Sequence, residues 1–87
     1  MEEVEQSSEL APGARLKKWR VERNLQSAEV GRRIDTTRPS IARYEAGRMP
    51  KQPYLDRIVV MTDGEVTAND WLGKEAADVV AKRQAPV

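Results

Sequence analysis

The stretch Ser27-Ala28-Glu29-Val30-Gly31-Arg32-Arg33-Ile34-Asp35-Thr36-Thr37-Arg38-Pro39-Ser40-Ile41-Ala42-Arg43-Tyr44-Glu45-Ala46-Gly47 decides how this chain is read. Ser27 has the form of an N-cap opening a short helix over residues 28–34, where Val30 and Ile34 repeat four apart. Asp35-Thr36-Thr37 is a brief break. Thr37 is a second N-cap candidate, and Pro39 falls in the first turn of the next helix, where a missing N–H costs nothing. That helix carries Ile41 and Tyr44, three apart, and stops at Gly47, a C-cap residue. Helices separated by so short a break must cross steeply. The crossing needs a small residue where they touch, and Gly31 supplies it. It needs apolar contacts, supplied by Val30, Ile34, Ile41 and Tyr44. It also needs a turn residue that tolerates positive φ, a role Asp35 fills less well than glycine.

Outward from this stretch, residues 1–11 show no apolar period and read as a disordered lead. Ala11-Pro12-Gly13 is a breaker, and a helix is predicted from Ala14 to Arg23, with Leu16 and Trp19 three apart. Asn24-Leu25-Gln26-Ser27 is polar around one anchoring Leu. After Gly47 comes a basic, Pro-bounded loop, Arg48-Met49-Pro50-Lys51-Gln52-Pro53. Residues 54–62 carry Leu55, Ile58, Val59 and Met61 as a core-facing helical stripe, closed by Asp63-Gly64. Thr67-Ala68-Asn69-Asp70 has the form of a capping box, opening a short helix with Trp71 and Leu72 that Gly73 stops. Residues 74–84 are good helix formers, but their apolar side (Ala76, Val79, Val80) is too thin to fold alone. No run alternates with period two. The expectation is an all-α chain: an acidic lead (1–11), a bundle of five short helices (12–73) and a C-terminal tail of helical character (74–87). Trp19, Tyr44, Trp71 and the Leu55/Ile58/Val59 stripe read as core, with a dimer contact as the alternative place for Trp71.

The chain has 87 residues, enough for one domain and too few for a deep cleft plus a cofactor domain. It has no Cys and no His, which removes disulfides, thiolate or imidazole metal sites, Cys nucleophiles and His bases. No apolar run approaches the roughly 18 residues of a membrane span, and the acidic start is unlike a secretory signal. A cytoplasmic protein is expected. The net charge of +1 conceals its distribution: −4 over residues 1–11, +7 over 12–60 and −2 over 61–87. A basic middle of this kind reads as a polyanion-binding surface, against the bland alternative of a solvated helical face.

Two short helices joined as in 27–47 have the form of a helix-turn-helix unit. Here the chain resembles the helix-turn-helix DNA-binding domains of phage repressor and Cro proteins, the xenobiotic-response-element-like family. The resemblance spans roughly Ala14 to Leu72. It is carried by Leu16-Lys17-Lys18-Trp19-Arg20, by Ser27 to Ile34 and by Thr37 to Pro50. Its most diagnostic part is the pattern Ser-Ile-x-Arg-Tyr-Glu-x-Gly-x-x-Pro from Ser40 to Pro50. The fold it implies is a compact, lambda-repressor-like bundle of five helices, usually binding operator DNA as a homodimer. The chain departs from the pattern at Ser27, where relatives often have Gln, at Asp35, where they usually have Gly, and at Pro39, where many have a hydrogen-bonding residue.

In this geometry the second helix of the unit enters the major groove by its N-terminal end. Thr37, Arg38, Pro39 and Ser40 then lie closest to base edges, with Arg43 one turn further along the face of Pro39 and Ser40. Arg38 and Arg43 are expected to read guanine O6 and N7, while Pro39 is limited to packing on a thymine methyl. Ser27, Arg48 and Lys51 are expected at phosphates, with Lys17 and Arg32 as weaker candidates beside them. The resemblance further implies a structural, partly buried ion pair between Arg20 and Glu45. No catalytic residue, metal or cofactor is expected.

The reading that follows is a DNA-binding transcriptional regulator, a cytoplasmic, nucleoid-associated repressor of phage or mobile-element type. It would bind a palindromic operator as a homodimer. RNA polymerase is a further partner to consider, with Glu29 as a contact. The alternative is a protein-interaction module, antitoxin-like or a polymerase-contacting adaptor, using the tails or residues 74–83. An enzyme is disfavoured because Asp56, Asp63, Glu65 and Asp70 gather around no nucleophile or phosphate loop.

Overall fold

The computed structural model describes residues 11–84. The acidic lead therefore lies, except for Ala11, outside the described residues, as do residues 85–87. Among the described residues there is no strand. The order is α1 (Ala14–Glu22), α2 (Ser27–Arg33), α3 (Arg38–Glu45), α4 (Tyr54–Met61), a 3₁₀ helix (Ala68–Trp71) and α5 (Lys74–Gln84). The expected five helices of residues 14–72 are thus four α-helices and one 3₁₀ turn. None of the described helices is long and apolar enough to cross a membrane.

Local chemistry places the ends. Gly13 starts α1 from a left-handed conformation (φ 86°), and a Cβ there would run into the Tyr44 carbonyl oxygen, so only glycine fits. The start of α2 differs from expectation by one residue. Gln26 is the N-cap, with no side-chain capping bond, and Ser27 is the first helical residue. Two adjacent polar residues leave such a boundary ambiguous in sequence. The turn behaves as read. Asp35 adopts φ 65°, and the Thr36 N–H donates to the Gly31 carbonyl at 2.7 Å. A Cβ on Gly31 would sit 2.9 Å from the Thr36 carbonyl oxygen, so the small residue serves the turn backbone. Thr37 caps α3, its Oγ1 accepting from the Ser40 N–H at 3.3 Å. The C-cap of α3 is Ala46, and Gly47 follows it at φ 119°. Gln52, just ahead of the Pro53 N-cap, braces the first turn of α4, its side-chain amide donating to the Asp56 carboxylate (2.9 Å) and accepting from the Asp56 N–H (3.1 Å). The Thr67/Asp70 capping box is present, on a 3₁₀ turn.

The core joins Leu16 and Trp19 of α1, Val30 and Ile34 around α2, Ile41 and Tyr44 of α3, Ile58 of α4, Val66 and Trp71. Burying each such side chain contributes about 1.5–3 kcal/mol. Leu25, Leu55 and Met61 pack against it, partly buried. Trp71 is only 6% exposed and its Nε1–H donates to the Tyr44 carbonyl at 2.8 Å, so it ties the 3₁₀ turn to α3 and is not free for a dimer contact. Sequence periodicity gave no hint of buried Val66 and Thr62. The Thr62 hydroxyl donates to the Ile58 carbonyl (2.9 Å) and accepts from the Val66 N–H (3.1 Å), which lets a polar residue close the core end of α4.

Candidate nucleic-acid interface

Helix α3 divides its residues by face. Ile41 and Tyr44 are buried, whereas Thr37, Arg38, Pro39, Ala42 and Arg43 are exposed and Ser40 is half-buried. Arg43 follows Pro39 and Ser40 by one turn on the same side. The Thr37 hydroxyl is engaged twice locally, accepting from the Ser40 N–H and donating to the Ser40 Oγ at 3.0 Å. Ser40 keeps its own hydroxyl hydrogen for an outside acceptor.

The basic middle holds twelve Lys or Arg, and their partners separate them into two groups. Seven form ion pairs. Arg15 bonds Asp70 (3.0 Å), Lys18 meets Glu22 (3.4 Å) and Arg23 reaches Glu65 (3.4 Å). Arg32 and Arg33 share Glu29 at 3.3 and 3.6 Å. Arg57 donates to the Ile34 carbonyl at 3.1 Å and lies 3.9 Å from Asp35. Arg20 grips Glu45 with two hydrogen bonds, Nε–H to Oε2 at 2.7 Å and Nη2–H to Oε1 at 3.0 Å, and donates to the Leu25 carbonyl at 3.0 Å. The hydrogen bond to Glu45 raises the Arg20 pKa above the usual guanidinium value, burial opposes it, and the Glu45 charge adds to the rise. The other five bases, Lys17, Arg38, Arg43, Arg48 and Lys51, are exposed and form no ion pair among the described residues.

Four of those five cluster on α3 and the loop after it. The Arg48 N–H donates to the Arg43 carbonyl at 3.0 Å, folding the loop back along the helix. Between them lies an open depression of about 230 Å³, lined by Ser40, Arg43, Tyr44, Arg48, Met49, Lys51 and Tyr54. Its cations face no carboxylate of the lining, so it suits an anion. Lys17 stands apart on α1. Ser27, half-buried, sits at the first turn of α2. Arg32 is held to Glu29, which weakens its claim to a phosphate. Glu29 is likewise occupied by two arginines.

Three residues escaped the sequence reading. Gln26 holds the N-cap position of α2 with its side chain exposed and without a hydrogen bond among the described residues. Tyr54 opens α4 yet lines the depression, and Arg57 stacks over its ring at 5.6 Å. The Tyr54–Arg57 spacing was the available signal, but it reads equally as an ordinary surface pair of a helix.

Residues 16–63, more than half of the chain, match the family model for helix-turn-helix proteins. The chain belongs to the Cro/repressor-like helix-turn-helix family. No curated protein and no solved structure matches it significantly. The matched segment runs from α1 through α4 and contains both helices of the unit and the loop carrying Arg48 and Lys51. This helix-turn-helix protein is thus a DNA-binding transcription regulator, and its family is typically non-enzymatic.

Proposed function

We propose that this helix-turn-helix protein is a sequence-specific repressor of phage or mobile-element type that binds a palindromic operator as a homodimer. It would work in the cytoplasm, on the nucleoid. The observation that carries the reading is the division of the bases. Seven pair with carboxylates of the fold, and of the five that form no ion pair among the described residues four lie on α3 and its following loop. A solvated face would show no such sorting.

In this reading α3 lies in the major groove. Arg38 and Arg43 make two-pronged bonds to guanine, each worth about 1–3 kcal/mol of discrimination. Ser40 offers a hydroxyl to a base edge, Pro39 offers apolar contact to thymine, and Thr37 holds the helix start. Arg48, Lys51, Lys17 and the first turn of α2 at Ser27 take phosphates and set the register, with Arg32 a weaker partner. The functional unit is residues 12–73. Repression follows from occlusion of polymerase. A protein-interaction role alone would leave without a task the arginines around α3 that form no ion pair among the described residues.

Selection of bound duplexes from a random pool, read with the mass of the complex, tests the proposal. It predicts two inverted half-sites with centres about 34 Å apart and two chains per duplex. Absence of any enriched sequence, or one asymmetric site holding a single chain, would contradict it.

A further inference from the structure

The acidic lead joins the fold at Pro12, beside Gly47 and the loop that follows α3. Pro12 packs on Gly47, where a Cβ would lie 3.6 Å from the Pro12 carbonyl oxygen. Gly13 abuts the Tyr44 carbonyl oxygen, and its N–H donates to the Asp70 carbonyl at 3.0 Å. Residues 12 and 13 are therefore pinned at the C-terminal end of α3, next to Arg48. Upstream stand Glu9, Glu5, Glu3 and Glu2, with no base among residues 1–11. At roughly 3.3–3.6 Å per residue, Glu9 reaches about 7 Å from Ala11 and Glu2 about 30 Å. Lys51 follows Gly47 by four residues and lies at most about 14 Å from it. Chain length thus permits carboxylates of the lead to reach Arg43, Arg48 and Lys51. These three cations line one open depression and have no acidic partner among the described residues.

We propose that Glu2, Glu3, Glu5 and Glu9 dock on Arg43, Arg48 and Lys51 and compete with DNA phosphates for them. The proposal rests on the DNA reading above. A tether this short holds the carboxylates at millimolar effective concentration, so the lead acts as a built-in polyanion. Either duplex needs Arg48 and Lys51 free of the lead, so docking excludes both, lowers affinity for both by one factor and leaves their ranking to the base contacts. The competition is electrostatic and fades as salt screens it.

The test compares the full chain with the variant Glu2→Gln/Glu3→Gln/Glu5→Gln/Glu9→Gln in titrations against operator and random duplex at rising salt. Zero-length carbodiimide coupling of the unbound chain, followed by peptide mapping, accompanies it. The variant should bind both duplexes about tenfold tighter at ~50 mM salt, with the curves converging above ~300 mM. Lys51 should become amide-linked to a carboxylate within residues 2–9, and excess duplex should suppress the link. Equal affinities at low salt overturn the proposal. So does a gain accompanied by links only at other lysines, which would report a change of net charge without docking. If neither chain binds any duplex at low salt, the DNA reading itself fails and the competitor role falls with it. Duplex binding by both chains with equal affinity removes the docking alone.

Discussion

Arg20 and Arg43 are both arginines of the basic middle, but Arg20 is paired with Glu45 whereas Arg43 is exposed and forms no ion pair among the described residues. The Arg20 side chain is 15% exposed and Glu45 only 9%, so the pair is largely withdrawn from water. Removing one partner strands the other charge. Arg20→Ala should lower stability by about 3 kcal/mol, seen as a fall in the urea midpoint with the slope unchanged. Arg23 stacks on Trp19 at 4.4 Å from the ring centroid and meets Glu65 near the surface. Arg23→Ala should therefore cost no more than about 1 kcal/mol in the same measurement. Equal losses for the two would contradict the distinction drawn from burial. The Arg20–Glu45 role was legible through the family pattern. The Arg57 role was not, because its partner is the Ile34 carbonyl, a backbone atom 23 residues earlier that no side-chain pattern announces.

The α2–α3 turn is the element on which the site depends. Gly31 stands against the backbone of Thr36 and Thr37, which cannot swing aside as a side chain can. Gly31→Val should cost about 2–3 kcal/mol, despite removing a helix-weakening glycine, because the clash outweighs the roughly 1 kcal/mol propensity term. Asp35 holds a left-handed conformation, and its carboxylate, 92% exposed, contributes little through the long contact to Arg57. Asp35→Gly should raise stability by about 0.5 kcal/mol. Thermal unfolding of both variants checks the signs. A stabilising Gly31→Val would show that the helices approach less closely than described. The turn was readable because its requirements are local: a cap at Thr37, a small residue at Gly31, a turn residue at Asp35. Burial of Val66 was not, because it arises from the Thr62 hydroxyl folding a non-periodic loop onto the core. The cap of α2 slipped by one residue for an equally local reason, since Gln26 holds the extended conformation there without a capping bond.

At the scale of the whole molecule, net charge says little and pairing says much. Which bases are neutralised could not be read from the sequence, since Arg15 finds Asp70 and Arg23 finds Glu65 across separations of 55 and 42 residues. The family match covers α1 to α4 and leaves α5 and the acidic lead to be read on their own. The proposed homodimer, with Lys17, Arg48 and Lys51 on phosphates in each protomer, predicts that log K against log[salt] slopes at about −5. A slope near zero would remove the electrostatic anchoring. The central claim is that α3 reads bases while the following loop grips backbone. It is tested most directly by measuring the affinities of Arg43→Ala and Arg48→Ala for a selected operator and for random duplex at one fixed salt. Arg43→Ala should weaken operator binding by about 1–3 kcal/mol and random binding far less, whereas Arg48→Ala should weaken both alike. Parallel losses in the two variants would contradict the account.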